Sequence, residues 1–417
     1  MRILHLVHQY PPDYVGGTEL YTQQLAAQLV ARGHDVAVFF RRDGAEASLE
    51  GWREPGGARV WAATSRPVTP TGRFLATFGD QLLDAALAQV LREEQPDVVH
   101  VQHLLGLPAS LPVQLRRRGL PYLLTLHDFW WVCANAQLVT NYDETICAGP
   151  RLWLNCARCA LARAGRGGLW PLSPALVPLL AMRAARLRPV WEGASRLIAP
   201  TRFVRALYGE LGLPEERIMV VPHGIALPRK MPARTRPATG NLHVGYVGGI
   251  AWQKGVHVLV EAVAGIPDNA VQLTIYGNMA AYPDYARALR QMAPRAPIHF
   301  AGQVDRQQLW QELVHLDVLV VPSLWYETAA LVIQEAFAAG VPVVASNLGA
   351  LAERVRHNVD GLLVPPGDSA ALRAALLTLA QDRERLVQLS LGIQPVRTIA
   401  AHVDEIEALY RRAVYGH

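Results

Sequence analysis

Two glutamates stand eight residues apart in the segment YETAALVIQEA, which begins at Tyr326. Glu327 follows VLVVPSLW, an apolar, β-branched run that is typical of a buried strand. Glu335 lies inside an apolar run, where a carboxylate is unexpected. Beside a bound phosphate, Glu327 could accept hydrogen bonds from hydroxyls of an attached sugar, and Glu335 could hold both hydroxyls of a ribose. The alternative is that Glu327 is a solvated capping acid and Glu335 is a partly exposed helix residue.

The residues between these glutamates predict a helix that begins near Ala329. The amides of Ala330, Leu331 and Val332 would then be first-turn donors without an acceptor inside the helix. Such a helix start attracts phosphate, because free N–H groups and the helix dipole both favour negative charge. The segment therefore predicts a phosphate site flanked by two acids.

Lysine is rare in this chain, which has only Lys230 and Lys254 beside 38 arginines. Lys254 lies in GGIAWQKG, between a predicted strand and the predicted helix GVHVLVEAV. At that position its ammonium group could offer a point charge to a diphosphate. The alternative is an ordinary surface lysine at a helix start.

All four cysteines fall within 27 residues and include one C-x-x-C pair. A cytosolic protein is not expected to rely on disulfides, so the cluster favours a tetrahedral, structural zinc site. The alternatives are four ordinary cysteines, or a redox pair at C-x-x-C. The candidate ligands are Cys133, Cys147, Cys156 and Cys159.

The segment 163–191, RAGRGGLWPLSPALVPLLAMRAARLRPVW, combines leucines, two tryptophans and several arginines without an acid. This composition could form an interfacial surface that contacts anionic lipid. The alternative is a set of helices that pack on the first domain and keep their arginines in water.

The composition fits a protein with a large core. The chain has 417 residues, of which 51% are hydrophobic, enough for two or three domains. The net charge of +5 and the pI of about 9.1 suit anionic ligands or membranes but are too mild to indicate nucleic-acid binding. No apolar run reaches the ~18 residues of a membrane span. We therefore predict a cytoplasmic protein, and peripheral contact at the inner membrane surface is the alternative to helices that pack on the first domain for the segment 163–191.

Short apolar strands alternate with helical stretches along the chain. One series contains RILHLVH, HDVAVFF, DVVHVQH, PYLLTLH, RLIAP and RIMVVPH, with helices predicted at 18–32 and 74–93. A second series contains LHVGYVGG, VQLTIYG, IHFAGQ, DVLVVPS, PVVASN and GLLVPPG. Apolar strands separated by helices indicate parallel sheets covered on both faces. The pattern predicts an α/β fold with two doubly wound Rossmann-like domains, whose ligand lies in a central cleft at the carboxyl ends of the strands.

The domain limits follow from the segment between the two series. Residues 228–241 are rich in proline and basic residues and interrupt the alternation. We place the first Rossmann-like domain at 1–225, with a cysteine-containing insertion at about 130–160. A linker follows at 226–241 and the second Rossmann-like domain at 242–395, and the helix within 396–417 is expected to pack back toward the first domain.

Several segments resemble family 4 of the retaining glycosyltransferases, which have the GT-B fold. The donor-domain motifs are YVGGIAWQKGVHVLVEA, VPSLWYETAALVIQEAFAAGVPVVAS and GLLVPPGD. In the first domain, GGTELYTQQLAAQLVARGHDV resembles the glycine-rich loop and first helix of the family. TLHDFWW resembles the segment that carries its active-site histidine, while APTRFVR and VVPHGI resemble its interdomain segments.

The resemblance implies that the domain at 1–225 binds the acceptor and the domain at 242–395 binds the nucleotide-sugar donor, and it implies a role for each matching residue. His127 would lie over the reacting sugar, Glu327 would contact its hydroxyls and Lys254 would bind the diphosphate, which makes these three the catalytic candidates. The donor-binding candidates are Gly17, Gly249, Asn278, Gln303, Val304, Ala329, Ala330, Leu331, Val332 and Glu335.

Two departures from the family pattern concern the diphosphate. The family usually has arginine where this chain has Gly249, so one positive charge is missing unless another arginine replaces it. It often has Gly-Phe-Gly after the first glutamate, where this chain has Thr328-Ala329-Ala330. The methyl group of Ala330 makes a positive φ less favourable there.

The resemblance implies a retaining transfer of a sugar from a nucleotide-diphosphate sugar to an acceptor hydroxyl on a glycan, a lipid-linked molecule or a small molecule. It implies a front-face mechanism that requires no cofactor, because the lysine and the helix start stabilise the leaving diphosphate. The alternatives are a noncatalytic protein that binds sugar nucleotides or glycans, and a sugar-nucleotide epimerase of similar fold.

Overall fold

The computed structural model describes residues 1–66, 69–233, 240–267 and 270–416. Residues 234–239 of the predicted linker lie outside this part. The chain forms two compact units. Unit 1 contains residues 1–223 and the C-terminal residues from Ile399, and unit 2 contains Gly224–Thr398.

Fourteen strands are seen in the described ranges. They are β1 (Arg2–Val7), β2 (Asp35–Asp43), β3 (Ser48–Arg53), β4 (Arg59–Ser65), β5 (Val98–Val101), β6 (Tyr122–Thr125), β7 (Arg196–Ala199), β8 (Ile218–Val220), β9 (Leu242–Val247), β10 (Val271–Tyr276), β11 (Ile298–Gly302), β12 (Val318–Val321), β13 (Val343–Ser346) and β14 (Gly361–Val364).

Fifteen α-helices accompany these strands in the same ranges. They are α1 (Gly17–Ala31), α2 (Pro70–Ala76), α3 (Gln81–Glu94), α4 (Ser110–Arg117), α5 (Leu154–Arg163), α6 (Val177–Glu192), α7 (Arg202–Glu210), α8 (Val256–Ala264), α9 (Pro283–Met292), α10 (Arg306–His315), α11 (Leu331–Ala338), α12 (Gly349–Arg354), α13 (Ser369–Gln381), α14 (Arg383–Leu391) and α15 (Ile399–Tyr415).

Each unit is built on one largely parallel sheet. The order in unit 1 is β3-β4-β2-β1-β5-β6-β7-β8, and only the β3–β4 pair is antiparallel. The order in unit 2 is β11-β10-β9-β12-β13-β14, with every pair parallel. Strands β5, β6, β12 and β13 are buried at every residue, as expected when helices cover both faces of a sheet.

The order of strands reverses once in each sheet, between β1 and β5 in unit 1 and between β9 and β12 in unit 2. At such a switch point the neighbouring connections run to opposite faces and leave a crevice outside the carboxyl ends of the strands. The loops after β1, β5, β9 and β12 are therefore the places where each unit can best hold a ligand.

Two local predictions need correction, and one hairpin was not predicted. The helix predicted at 74–93 is two helices, α2 and α3, because Asp80 caps α3 by accepting hydrogen bonds from the amides of Leu82 and Leu83. The β3–β4 hairpin was not predicted. Helix α11 begins at Leu331 rather than near Ala329. Among the described residues, no helix is long and apolar enough to cross a membrane.

Candidate active site

The switch point of unit 2 holds an ion pair between Lys254 and Glu327. Nζ of Lys254 donates to Oε1 of Glu327 over 2.8 Å, and the ammonium group lies 4.8 Å from the ring centre of Trp325. The same Oε1 accepts from the Ser323 hydroxyl at 2.7 Å and from the Trp325 indole at 2.9 Å. Burial raises the pKa of Glu327, but Lys254 and these two donors lower it by more, so the net shift is downward.

The loops after β9 and β12 approach each other closely, which positions this pair. The amide of Leu324 donates to the carbonyl of Gln253 over 2.9 Å. Gly255, between Lys254 and α8, has a φ of 67°, and a Cβ there would lie 1.9 Å from the carbonyl oxygen of Pro322. Only glycine fits that backbone and that spacing.

The start of α11 follows the second of these loops. Ala330 adopts the left-handed conformation, with φ 49° and ψ 53°, so a positive φ occurs here although the methyl group disfavours it. In the part of the chain that the structure describes, the amides of Leu331 and Val332 have no hydrogen-bond acceptor. This helix start can therefore receive an anion, as the sequence predicted for its amides.

Glu335 is only 5% exposed, and its Oε1 is paired with Arg306 over 2.7 Å. Burial raises the pKa of Glu335, and Arg306 opposes that shift. Arg306 was not predicted as a site residue. It is the first residue of α10 and follows the end of β11, and this position in the sequence could have marked it as a candidate.

The remaining donor-domain candidates lie on the loops after β9, β10 and β11. A Cβ on Gly249 would meet no protein atom within 4 Å, so packing does not explain the missing arginine. Asn278 is exposed, and its Oδ1 accepts from the amide of Ala280 over 2.9 Å. Gln303 is exposed, whereas Val304 packs against the apolar core. Ala329 and Ala330 lie just before α11.

His127 belongs to unit 1 and follows β6. It is 9% exposed, and its Nε2 lies 2.8 Å from Oε1 of Gln102. Burial lowers the pKa of His127 to about 3, with His103 adding to the shift, so the ring is neutral at neutral pH. Gly17 is the first residue of α1, and a Cβ there would meet no atom within 4 Å. The backbone of Gly17 is thus open to a ligand.

A group of residues at the switch point of unit 1 was not predicted as part of a site. His8 follows β1 and His103 follows β5, and their ring centres are 4.4 Å apart. His8 pairs with Glu19 over 3.2 Å, and His103 pairs with Asp128 over 2.9 Å. His5 and His100 lie within the same strands. The signal that separates His8 and His103 from them is their position just beyond the strand ends, where ligands bind.

The four cysteines carry free thiols near α5. Burial raises the pKa of Cys156 to about 12, and repulsion by Cys133, Cys147 and Cys159 adds to the shift, so the four sulfurs share one neighbourhood. As positioned, however, no three His, Cys, Asp or Glu side chains among the described residues could hold a metal ion. The thiols suit zinc chemically, but their spacing here does not form the site, and the zinc hypothesis stays a prediction.

Comparison with protein families gives two matches. The model described as Glycosyltransferase Family 4 matches residues 15–229, which is just over half of the chain. The model described as Glycosyl transferases group 1 matches residues 241–382.

Individual proteins agree with these matches. A glycogen synthase of Mycobacterium tuberculosis is 29% identical over 390 residues, covering 92% of this chain and 86% of its own. The structure of sucrose-phosphate synthase from Thermosynechococcus elongatus has a TM-score of 0.75 at 21% identity, covering 100% of this chain and 99% of its own. Anabaena HepE in complex with UDP-glucose has a TM-score of 0.68 at 19% identity, covering 98% of both chains.

Proposed function

Because this chain belongs to glycosyltransferase family 4 and has the GT-B fold with two Rossmann-like domains, we propose that it uses a nucleotide-diphosphate sugar and transfers the sugar with retention of configuration. The observation that carries the proposal is the Lys254–Glu327 pair at the switch point of unit 2, beside the open amides of α11. A HepE structure with UDP-glucose supports a donor of this class. Family membership does not favour the binding-protein and epimerase alternatives.

In the proposed mechanism, unit 2 stabilises the charge that develops on the leaving diphosphate. Lys254 supplies a cation and the first amides of α11 supply fixed donors, each of which could contribute about 3–4 kcal/mol in the transition state. Oε1 of Glu327 already accepts three hydrogen bonds, and its Oε2 accepts the donor-sugar hydroxyls. The leaving diphosphate helps to deprotonate the acceptor hydroxyl on the same face of the sugar. For His127, the family resemblance implies a contact with the reacting sugar.

A two-stage experiment tests this function. Thermal stabilisation by a panel of nucleotide sugars first identifies the donor, because a ligand that binds the folded state raises its apparent stability. Transfer and donor hydrolysis are then measured for Lys254→Ala and Glu327→Ala, with Lys230→Ala and Glu384→Ala as matched controls at exposed positions. We expect both site variants to stay folded and lose activity, and both controls to keep it. Near-normal turnover by either site variant would refute the assignments.

We also propose that the segment 163–191 contacts an anionic membrane surface. Leu169, Trp170 and Leu172 are 46%, 56% and 64% exposed. The exposed arginines that could meet anionic headgroups are Arg163, Arg166 and Arg186, whereas the exposed Arg188 is already paired with Glu192 over 2.7 Å. Apolar side chains next to uncompensated cations are typical of an interfacial surface.

Liposome flotation tests this contact. The protein should float with vesicles that contain phosphatidylglycerol but not with pure phosphatidylcholine vesicles, because the arginines need an anionic surface. Trp170→Ala combined with Leu172→Ala should weaken flotation, whereas Leu391→Ala, at a position 74% exposed on unit 2, should not. Equal flotation of all three proteins would contradict the proposal.

A further inference from the structure

The histidines and carboxylates at the switch point of unit 1 form two ordered pairs. His103 is fixed on both sides, because its Nδ1 accepts from the amide of Leu105 over 3.0 Å and its Nε2 lies 2.9 Å from Oδ2 of Asp128. The amide of Trp130 holds the other oxygen of Asp128 at 2.8 Å. An accepting Nδ1 places the proton of neutral His103 on Nε2, which donates to Asp128.

His8 presents an unused hydrogen-bond acceptor beside this pair. Its Nε2 lies 3.2 Å from Oε1 of Glu19, while its Nδ1 is buried and has no hydrogen-bond partner in the described ranges. Burial lowers the pKa of His8 well below 6.5, and its neighbours His103, Arg73 and His127 lower it further. The ring is therefore neutral, donates to Glu19 through Nε2 and leaves a lone pair on Nδ1. A buried polar atom without a partner is costly, which suggests that a ligand satisfies it.

The polar groups that remain available here accept hydrogen bonds and carry no positive charge. Asp128 is the most accessible, with its side chain 31% exposed, and a carboxylate can accept more bonds than the two it has. Two cations near this group, Arg73 and Arg183, have partners of their own. Arg73 faces Asp43 at 3.8 Å, and Arg183 is buried and donates to the carbonyl of Trp130 over 2.7 Å. The site therefore fits hydroxyl donors and disfavours phosphate.

We propose that His8 and Asp128 bind hydroxyl groups of the acceptor, and that this acceptor is an uncharged polyol or sugar rather than a phosphorylated one. The inference rests on the proposed transfer function. The proposed acceptor site in unit 1 and the proposed donor site in unit 2 are then built in the same way, with binding groups at the carboxyl ends of the strands, where the strand order reverses. Glu19 and His103 are positioning residues that fix the orientation of the two binding groups.

The test uses whichever nucleotide sugar stabilises the protein, with matched pairs of acceptors. The pairs are glucose with glucose 6-phosphate and myo-inositol with myo-inositol 1-phosphate, and water serves as the acceptor in donor hydrolysis. We expect the neutral member of each pair to be preferred. Asp128→Asn and His8→Ala should each raise the acceptor KM about tenfold, the effect of one lost hydrogen bond to a strong acceptor, and should leave the donor Kd unchanged. Both variants should also slow donor hydrolysis, because the attacking water occupies the position of the acceptor hydroxyl.

The control is Asp404→Asn, which removes a carboxylate that is 66% exposed on α15 of the same unit. It should change neither acceptor KM nor hydrolysis. If no nucleotide sugar is bound or hydrolysed, the proposed function fails before acceptors are considered. If a donor is used but phosphorylated acceptors are preferred, the inference is overturned. It is equally overturned if Asp128→Asn and His8→Ala leave both acceptor KM and hydrolysis unchanged.

Discussion

Glu327 is a nearly buried carboxylate whose charge depends on one lysine. Its side chain is 13% exposed, and the Lys254 side chain is 27% exposed. Removing one partner of such a pair leaves the other charge without compensation, whereas removing both charges leaves no such penalty. Without Lys254, the hydroxyl of Ser323 and the indole of Trp325 would remain as donors to the carboxylate.

We therefore predict that Lys254→Met lowers the free energy of unfolding by about 1–3 kcal/mol. Lys254→Met combined with Glu327→Gln should recover part of that loss, because no charge is then left unpaired. Urea unfolding of the two single variants and the double variant measures the coupling. Additive effects within about 0.5 kcal/mol would show that the two side chains act independently.

At the scale of elements, two helix starts in unit 2 use the left-handed backbone region with different residues. Gly255 precedes α8 with φ 67°, and Ala330 precedes α11 with φ 49°. This backbone conformation destabilises an L-residue by roughly 1–2 kcal/mol, whereas it does not destabilise glycine. The start of α11 thus carries strain at the place where the proposed diphosphate binds.

Ala330→Gly should raise the free energy of unfolding by up to about 1 kcal/mol, because the relief of strain exceeds the added entropy of the unfolded chain. Gly255→Ala should do the opposite and more strongly, since its Cβ would collide with the carbonyl of Pro322 at 1.9 Å. Thermal unfolding of the two variants at one pH compares them directly. Destabilisation by Ala330→Gly would contradict the strain argument.

The sequence was sufficient to predict the elements that local pattern controls, and less informative about contacts across elements. The apolar strands, their helices and the loops after β9 and β12 follow from periodicity and turn residues. The Arg306–Glu335 pair joins two helices whose approach only tertiary packing sets. The same holds for His8 and His103, which are far apart in sequence but adjacent because β1 pairs with β5. Helix periodicity also missed the break at Asp80, because an N-cap can begin a new helix inside an apolar pattern.

At the scale of the molecule, unit 1 buries several histidines in a neutral form. His5 and His100 lie opposite each other in β1 and β5 and are fully buried. Burial lowers the pKa of His5 and of His127 to about 3, and those of His8 and His100 also fall well below 6.5. Unfolding exposes these rings to water, where they titrate near 6.5.

The stability of the folded chain should therefore fall as the pH drops below about 6.5. Between pH 6.5 and about 3, the unfolded state binds protons that the folded state does not bind. Each such proton lowers the free energy of unfolding by about 1.4 kcal/mol for every unit by which the pH falls. Denaturant unfolding at a series of pH values from 8 to 4 measures the slope. His5→Asn, whose amide oxygen can still accept the Gln102 hydrogen bond, should reduce the slope by roughly one proton. His299→Gln, at an exposed position, is the control for losing a histidine that is already in water. If the free energy of unfolding of the wild-type protein does not change between pH 8 and pH 5, the buried rings take up protons without unfolding and the prediction is wrong.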